Sequence, residues 1–337
     1  MKVLVTGGAG FIGAQLVKTW LRIDPKVSIV NFDKLTYSGD LKRLEELRDN
    51  KRHQFVRGDI RDAKAVRHAM EGCSKVLHLA AETHVDRSLL DGKTFFDTNL
   101  DGTRVLLEEA RHAKVERFVQ VSTDEVYGSR GQGYFTEKDA LNPSSPYSVS
   151  KTSGDLLALS YFTTYDLPVI VTRGSNTYGP FQFPEKVIPL FVSNALSNEF
   201  LPLYGDGRQV RNWIYVEDHA LGILHALKKG KPGEIYNVSS NTEMENITLT
   251  KKLLRILGRS EKLIKRVKDR LGHDRRYAID SSKLRALGWS EQHSFDRAFA
   301  DTVLWYEYHQ SWWRAIKMKQ KSFKDFYRKA YAGRVKA

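Results

Sequence analysis

A glycine-rich turn between a short apolar strand and a helix opens the chain and narrows the folds it can adopt. Residues 2–6 (KVLVT) predict a buried strand, and the apolar spacing over 11–22 predicts a helix. Four glycines lie at their junction: Gly7, Gly8, Gly10 and Gly13. Glycines allow a tight turn and let backbone amides at the helix N-terminus approach a pyrophosphate. By itself the motif fits both a dinucleotide site and an ordinary βα turn.

An acidic residue after the second predicted strand favours the dinucleotide site. The strand VSIVNF is followed by Asp33, which lies 20 residues after Gly13. A carboxylate at this position can accept hydrogen bonds from both hydroxyls of an adenosine ribose, and it repels a 2′-phosphate. Strand, glycines, helix, strand and acid in this order therefore predict binding of NAD rather than NADP.

Apolar strands continue to alternate with helical segments along the chain. Further strands are predicted at 53–59, 75–81, 116–123 and 168–173, and helices near 41–48, 62–70 and 94–112. This alternation indicates an α/β fold with a doubly wound, mostly parallel sheet of the Rossmann type. Ligands of such sheets lie at the carboxyl ends of strands, where this sequence has Asp59, Ala80, Ala81 and residues 122–125.

The positive charge of the chain is high and unevenly placed. The 337 residues carry 54 Lys and Arg against 40 Asp and Glu, a formal charge of +14. Such a balance raises the possibility of nucleic-acid binding, because basic proteins displace counterions from phosphates. Residues 314–337, however, hold nine basic side chains and one acid, which is +8 of that total.

The same terminal segment has an apolar stripe at helical spacing. Its members are Ile316, Phe323, Phe326, Tyr327, Ala330 and Tyr331. We interpret 314–337 as a basic amphipathic surface helix whose aromatic stripe docks on the body. A contact for nucleic acid or an anionic membrane is the alternative, but no nucleic-acid-binding signature accompanies it. We expect no nucleic-acid partner, and the helix to lie outside the catalytic motifs.

Cysteine and histidine usage excludes several kinds of site. Cys73 is the only cysteine, so an internal disulfide, a multi-thiolate zinc site and a CxxC redox pair are impossible, and a cytoplasmic setting is expected. The ten histidines show no HExxH or similar ligand spacing, so no metal is expected. We expect neither a membrane-spanning segment nor a signal peptide.

A tyrosine and a lysine are spaced for chemistry on the helix predicted to begin near Pro146. Tyr147 and Lys151 lie four residues apart and share one helical face. A neighbouring ammonium and a nicotinamide cation would lower the tyrosine pKa, so that Tyr147 could take a proton from a substrate hydroxyl. The pattern alone is more often a packed tyrosine and a surface lysine. Its position after a dinucleotide fingerprint favours catalysis.

Two adjacent carboxylates, Asp124 and Glu125, follow the strand predicted at 116–123. Solvated loop acids are the default interpretation. The alternative is a catalytic pair, in which a protonated acid donates to a leaving hydroxyl and an ionised one removes a proton from carbon. That division requires environments that push the two pKa values apart, and both interpretations stand at this point.

Seven motifs together identify a family resemblance between residue 2 and about residue 280. They are TGGAGFIG, LAAETHVDRS, STDEVYGS, SPYSVSK, SNTYGPFQFPEKVIPLF, LPLYGDGRQVRNWIYVEDH and GHDRRYAID. The chain resembles the nucleotide-sugar dehydratases of the extended short-chain dehydrogenase/reductase family, and most of all those that act on dTDP-glucose. The resemblance implies an NAD-dependent lyase that makes a 4-keto-6-deoxy sugar for deoxysugar biosynthesis.

The resemblance also implies an internal redox cycle. Tyr147, assisted by Lys151 and Thr123, would deprotonate the glucose 4-hydroxyl as the C4 hydride passes to NAD. Glu125 would remove the C5 proton and Asp124 would protonate the departing 6-hydroxyl. The hydride would then return to C6, so that the cofactor is regenerated in each turnover.

Two sets of binding residues follow from the fingerprint and the resemblance. The expected NAD contacts are Gly7, Gly10, Phe11, Ile12, Gly13, Asp33, Lys34, Thr36, Gly39, Asp59, Ile60, Leu79, Ala80, Ala81, Asn99, Val121, Ser122, Tyr147, Lys151 and Thr177. The expected substrate contacts are Thr83, Thr123, Asn176, Lys186, Leu203, Tyr204, Arg211, Asn246 and His273. The planar fork of Arg211 suits a diphosphate, with a surface arginine as the alternative, and His273 could instead cap a turn.

The chain departs from the family pattern in two places that bear on binding. Residues 174–177 read Gly-Ser-Asn-Thr where the family has Cys-Ser-Asn-Asn, so one asparagine near the nicotinamide is absent. Residues 237–248 differ from the usual glycine-rich pattern, which leaves the base contact at Asn246 and the choice between dTDP and UDP open. The change from Ala-Glu-Ser-His to Ala-Glu-Thr-His at 81–84 is conservative.

The expected organisation is an NAD-binding domain interleaved with a smaller substrate lobe. Residues 1–178 and about 213–239 form the first, with 213–239 returning to the main sheet. Residues about 179–212 and 240–313, including a helix at 187–197, form the second, and 314–337 form the terminal helix. The resemblance implies a homodimer through a four-helix bundle of the helices near 94–112 and 146–165.

Four other functions remain as alternatives. A UDP-glucose 4,6-dehydratase would share every motif, and a nucleotide-sugar epimerase or decarboxylase would share NAD, Tyr147 and Lys151 without needing Asp124 and Glu125. A non-catalytic nucleotide sensor on the same fold would be expected to lack Tyr147 or Lys151. A nucleic-acid-binding protein would explain the charge but none of the motifs.

Overall fold

A parallel sheet dominates the computed structural model, which describes residues 1–331. Thirteen strands lie in this part of the chain: β1 (Lys2–Thr6), β2 (Ser28–Asp33), β3 (His53–Arg57), β4 (Lys75–His78), β5 (Arg117–Thr123), β6 (Val169–Gly174), β7 (Asn176–Tyr178), β8 (Leu201–Tyr204), β9 (Val210–Tyr215), β10 (Ile235–Val238), β11 (Glu243–Glu245), β12 (Ile264–Val267) and β13 (Arg276–Tyr277). Seven of them form one all-parallel sheet in the order β10-β6-β5-β4-β1-β2-β3. The predicted doubly wound α/β fold is confirmed.

Helices connect these strands and cover the sheet. They are α1 (Phe11–Ile23), α2 (Ala63–Met70), α3 (Val85–Leu90), α4 (Gly92–Phe96), α5 (Thr103–His112), α6 (Pro146–Tyr165), α7 (Val187–Leu196), α8 (Val216–Lys229), α9 (Asn246–Ile256), α10 (Ser282–Ala286), α11 (Phe295–Tyr308), α12 (Gln310–Lys319) and α13 (Lys321–Tyr331). Among residues 1–331, none of the helices combines the length and apolar character needed to cross a bilayer.

Two predicted helices take a different form. The segment near 41–48 is a 3₁₀ helix, Leu41–Leu47, which Asp40 caps by accepting a hydrogen bond from the Lys42 amide. The segment 94–112 is not one regular helix, because a π-helical turn, Asp97–Gly102, joins α4 to α5.

Both faces of the main sheet are covered, so its strands are apolar throughout. Leu16 of α1 and Ile223 of α8 belong to the core on one face. Val66 of α2, Leu106 of α5 and Tyr161 of α6 belong to the core on the other.

Two strands of the main sheet, β3 and β4, end earlier than their apolar sequence runs predict, which leaves loops at the edge of the sheet. The ladder between β1 and β4 ends at the pair Thr6 and His78, because Gly7 turns away with a φ of +71°. The strand predicted at 75–81 therefore stops at residue 78, and the one predicted at 53–59 stops at residue 57. The remaining residues of both runs form loops at the sheet edge.

The smaller lobe contains two small sheets and its own apolar core. One has the order β11-β9-β13 with β7 paired to β9, and the other pairs β12 with β8. Phe191 of α7, Leu253 of α9 and Phe299 of α11 pack together in its core. The expectation that 213–239 returns to the main sheet is wrong for β9, which pairs with β7 and β11, and holds for β10.

The terminal segment is two helices rather than one. α12 begins at Gln310. The helix is interrupted at Gln320, before α13, because Gln320 has an extended backbone conformation. The apolar stripe does dock on the body, since Ile316, Phe323, Phe326 and Ala330 are buried. Residues 332–337 of the predicted helix lie outside the described residues.

Candidate active site

Two adjoining cavities lie where the carboxyl ends of the main-sheet strands face the smaller lobe. The larger cavity has a volume of about 340 Å³ and the smaller cavity about 160 Å³. Glu125, Asn176 and Lys186 line both. Because ligands of doubly wound sheets bind at this edge, the pair of cavities is the candidate site.

The larger cavity gathers eighteen of the twenty residues expected to bind NAD. They are Gly7, Gly10, Phe11, Ile12, Gly13, Asp33, Lys34, Thr36, Gly39, Asp59, Ile60, Leu79, Ala80, Ala81, Val121, Ser122, Tyr147 and Thr177. Thr83, Thr123, Asp124 and Glu125 line the same cavity. Residues of five sheet strands and their loops thus converge on one space.

The smaller cavity holds the expected substrate contacts. Asn176, Lys186, Leu203, Tyr204, Arg211, Asn246 and His273 line it, together with Glu125. Residues more than 120 positions apart in sequence therefore meet at the junction of the two cavities.

Asn99 and Lys151 do not line either cavity. The Asn99 amide donates to the Glu82 carbonyl at 3.0 Å and accepts from the Glu82 amide at 2.8 Å. It also donates to Ser150 Oγ at 2.9 Å, so its polar atoms hold the loop after β4 instead of facing the cavity. Lys151 lies behind the wall of the larger cavity, where its Nζ donates to the Val121 carbonyl oxygen at 2.7 Å.

The glycine turn forms a cradle that side chains would fill. A Cβ at Gly7 would lie 2.5 Å from the Ala80 amide nitrogen, and one at Gly13 would lie 2.2 Å from the Gly7 carbonyl oxygen. Both positions therefore require glycine. The first-turn amides of α1, which have no acceptor within the helix, lie at this cradle, as a pyrophosphate site requires.

Asp33 is fixed beside the glycine turn, where it lines the larger cavity. Its Oδ2 accepts from the Ala9 amide at 2.9 Å and its Oδ1 from the Leu35 amide at 2.8 Å. Burial raises the pKa of Asp33, although these backbone hydrogen bonds oppose the rise. Each carboxylate oxygen keeps a second lone pair for a ribose hydroxyl. The residues present therefore fit a dinucleotide of the NAD type.

Local structure of α6 sets Tyr147 and Lys151 against β5. A capping box between Ser145 and Ser148 starts the helix with Pro146 in its first turn. Tyr147 then faces the cavity, and Lys151 reaches the β5 backbone one turn later.

Burial sets the direction of the pKa shifts of Tyr147 and Lys151. Burial and the negative charge of Glu125 raise the pKa of Tyr147, although a hydrogen bond with Thr123 opposes this. Burial also lowers the pKa of Lys151 to about 8, with the charge of Asp155 opposing it. The lowered tyrosine pKa expected from the ammonium together with a nicotinamide cation stays a prediction for the protein with NAD bound.

Asp124 and Glu125 have different electrostatic environments. Burial, followed by the charge of Glu125, raises the pKa of Asp124 to about 8. Burial also raises the pKa of Glu125, but the positive charges of Arg270, Lys186 and Arg211 oppose that rise. Asp124 therefore keeps its proton near neutral pH, whereas Glu125 faces three cations that favour its carboxylate. The two environments differ in the direction that an acid and a base would require.

Arg211 is not a surface residue. Its side chain is 5% exposed, stacks 4.2 Å over the Tyr277 ring and donates to the Asp274 carbonyl at 2.9 Å. Arg270, which sequence reasoning missed, also lines the smaller cavity. It lies three residues before His273, so the motif GHDRRY was the available signal. Two guanidinium groups, Arg211 buried and Arg270 half-buried, suit a diphosphate.

His273 does more than cap a turn. It lines the smaller cavity, and its Nδ1 lies 2.5 Å from Asp269 Oδ1. Burial and the neighbouring charges of Arg270 and Arg211 lower the pKa of His273 to about 4, so the ring is neutral at pH 7.

The terminal helices reach the site, contrary to expectation. Tyr331 of α13 lines the smaller cavity and stacks on Tyr204 with 6.0 Å between ring centroids. Phe326 packs edge-on against His84 at 5.0 Å. Tyr331 is therefore part of the site wall, and the sequence pattern indicates the apolar stripe without the surface on which it docks.

In the described part of the chain, no group of three or more His, Cys, Asp or Glu side chains is arranged to hold a metal ion.

Comparisons with known proteins agree with this geometry. The family model described as GDP-mannose 4,6 dehydratase matches residues 4–302. A dTDP-glucose 4,6-dehydratase of Streptomyces griseus is 48% identical over 317 residues, covering 93% of this chain and 96% of that protein. The low-salt glycan biosynthesis protein Agl12 of Haloferax volcanii is 47% identical over 306 residues, covering 91% and 98%.

Solved structures give the same result. The crystal structure of DesIV, a dTDP-glucose 4,6-dehydratase from Streptomyces venezuelae with NAD and TYD bound, matches with a TM-score of 0.92 and 45% identity, covering 94% of this chain and 100% of that one. The resemblance inferred from the seven motifs is confirmed. The chain belongs to the GDP-mannose 4,6-dehydratase family.

Proposed function

We propose that this protein is an NAD-dependent 4,6-dehydratase that converts dTDP-glucose to dTDP-4-keto-6-deoxyglucose. The observation that carries the proposal is the acid pair at the junction of the two cavities. Asp124 keeps its proton near neutral pH while Glu125 faces three cations. Similarity to the dehydratases of S. griseus and S. venezuelae supports the same assignment.

NAD fits the larger cavity, with the glycine cradle for its pyrophosphate and Asp33 for its adenosine ribose. When bound, it supplies the acceptor and donor of hydride for an internal redox cycle. Asp33 disfavours a 2′-phosphate, which supports NAD over NADP.

Tyr147 is the base for the sugar 4-hydroxyl in this proposal. Thr123 is in hydrogen-bond contact with it and can orient the phenol. Lys151, buried behind it, contributes positive charge while it holds its proton below about pH 8. Because burial raises the tyrosine pKa, proton transfer to Tyr147 depends on a positive charge bound beside it.

Glu125 and Asp124 carry out the loss of water. Oxidation at C4 acidifies the C5 hydrogen, and Glu125, as a carboxylate, removes that proton. Asp124, as an acid, donates its proton to the departing 6-hydroxyl. An epimerase or decarboxylase has no use for this second acid, so the pair favours dehydration.

The smaller cavity receives the nucleotide diphosphate. Arg211 and Arg270 supply paired donors to the phosphates, Lys186 lies beside Glu125 at the sugar end, and Asn246 faces the nucleotide. The remaining expected contacts in this cavity, Leu203, Tyr204 and His273, contribute to its wall.

We also propose a homodimer and a cytoplasmic setting. The helices near 94–112 and 146–165 would form a four-helix bundle with a second copy, which covers exposed apolar side chains. These are Val149, Leu156 and Tyr165 of α6 and the neighbouring Leu89 and Leu90 of α3. A mass in solution equal to one chain would contradict the dimer. A reducing compartment fits Cys73, which is buried and unpaired with another cysteine.

The test is to incubate the protein with dTDP-glucose and, separately, with UDP-glucose, without added NAD. We expect a 4-keto-6-deoxy product, formed faster from dTDP-glucose. Faster reaction of UDP-glucose would indicate that the protein is instead a UDP-glucose 4,6-dehydratase. A galactose-configured product alone would contradict dehydration, and binding without any product would indicate a nucleotide sensor.

A further inference from the structure

Four side chains from four separate segments meet beside the two cavities and have no part in the proposed reaction. They are Tyr37, Arg87, Glu185 and Phe326, which we call the latch. Tyr37 follows β2, Arg87 lies on α3, Glu185 precedes α7 and Phe326 lies on α13. The latch thus joins the NAD-binding domain, the smaller lobe and the terminal helix.

Glu185 is the centre of the latch. The Tyr37 hydroxyl donates to Glu185 Oε1 at 3.0 Å, and Arg87 Nε donates to Glu185 Oε2 at 2.7 Å. The Glu185 side chain is 1% exposed and that of Arg87 17%. Both carboxylate oxygens therefore have a donor, and one of the two bonds is an ion pair almost free of water.

Aromatic rings enclose the Arg87 guanidinium from two sides. Its central carbon lies 3.8 Å from the Tyr37 ring centroid and 4.4 Å from that of Phe326. Phe183, two residues before Glu185, packs edge-on against Tyr37 at 5.4 Å. Cation–π and edge contacts of this kind add to the hydrogen bonds and fix the ring of Tyr37.

The latch connects two loops that line the larger cavity. Thr36 and Ser38, the neighbours of Tyr37, line that cavity from one side, and Phe183 and Glu185 line it from the other. The contact between Tyr37 and Glu185 therefore ties a loop that borders Asp33 to a loop of the smaller lobe.

We propose that the latch retains NAD by holding these two loops together across the larger cavity. Opening the loops breaks the hydrogen bond from Tyr37 to Glu185 and separates the Tyr37 ring from the Arg87 guanidinium, and both losses cost free energy. This inference rests on the proposed function, because a cofactor that is regenerated in each turnover has no need to leave. The latch also gives α13 a role in NAD retention through Phe326, and the positive charge of the terminus does not explain that role.

The test measures NAD release without any sugar. Y37F removes the hydroxyl and E185Q removes the charge while each keeps the shape of its side chain, and F326L removes one ring from Arg87 and keeps an apolar contact. The matched control is Y327F on the same helix, whose hydroxyl accepts a hydrogen bond from the Asn194 amide at 3.5 Å. Bound NAD per chain after gel filtration and the displacement rate of isotopically labelled NAD are the readouts.

We expect Y37F and E185Q to release NAD about ten- to a hundredfold faster than the wild type, and F326L about two- to fivefold faster. Y327F should match the wild type. Melting temperatures at saturating NAD show that each variant is folded. Wild-type release rates in Y37F and E185Q, or equally fast release from Y327F, would overturn the proposal.

A wild-type chain that loses its NAD as readily as the variants would also overturn the latch. A wild-type chain that holds NAD but forms no dehydrated sugar counts against the proposed function alone, because the release assay contains no sugar.

Discussion

Asp155 and Arg173 form an ion pair with 3.1 Å between Oδ2 and Nε, and their side chains are 0% and 1% exposed. Asp155 lies four residues after Lys151, on the same face of α6. Its negative charge opposes the burial that lowers the pKa of Lys151. The pair therefore supports both the fold and the positive charge of Lys151.

Asp155→Asn is expected to lower stability by about 3–5 kcal/mol, because it leaves Arg173 as a buried charge without its partner. It should also shift the alkaline limb of activity to lower pH, since Lys151 then loses its proton more easily. Urea unfolding and a pH–rate profile measure the two effects. Asp301→Asn, which breaks the exposed pair with Arg297, should change neither. If stability falls but the alkaline limb of the pH–rate profile does not shift, Asp155 has a structural role only.

Glu125→Gln should stop the reaction after oxidation at C4, because the base for the C5 proton is missing. Cofactor would then accumulate in its reduced form, visible by the absorbance of the dihydronicotinamide, while the overall rate falls by about 10² or more. Asp124→Asn should also block loss of water, through the missing acid. Full turnover by either variant would contradict its role.

The raised pKa of Asp124 gives a stability effect with a definite sign. Its folded-state pKa is about 8 against an ordinary 3.8, so the fold favours the protonated carboxyl. The stability that this proton contributes is full below about pH 4 and is lost as the pH rises toward 8. Asp124→Asn, which stays neutral, should therefore gain melting temperature relative to the wild type as the pH rises. A difference that is constant with pH would refute the shift.

Gly13→Ala should abolish retention of NAD and lower stability by about 1–3 kcal/mol, because the added methyl meets the Gly7 carbonyl oxygen at 2.2 Å. Gly131→Ala is the matched control, since a Cβ there has no atom within 4 Å. Equal NAD content in the two variants would show that the turn is not the pyrophosphate cradle. Bound NAD and thermal unfolding are the measurements.

The sequence predicts the local features of this molecule well. The glycine turn, Asp33 and the spacing of Tyr147 and Lys151 each depend on a few neighbouring residues, and the sheet order follows from alternating apolar runs. The roles of Asp124 and Glu125 depend instead on Lys186, Arg211 and Arg270, which come from distant segments of the smaller lobe. Adjacent acids alone carry no information about those cations.

Other differences have equally specific physical causes. The run Trp213–Tyr215 at the end of β9 is apolar enough for the main sheet, but it pairs with β7. Asn99 follows the pattern of a binding residue, yet Glu82 and Ser150 occupy its amide. The stripe of α13 indicates an apolar face and not the surface it covers, so the contacts of Phe326 and Tyr331 emerge only from the tertiary structure.

The most direct test of the central claim follows a hydrogen isotope. The protein is incubated, without added NAD, with dTDP-glucose that carries deuterium at C4, and the position of the label in the product is read by NMR. An internal redox cycle with retained cofactor predicts deuterium at C6 of a 4-keto-6-deoxy sugar. Deuterium that remains at C4, or a product formed only with external NAD, would contradict the account.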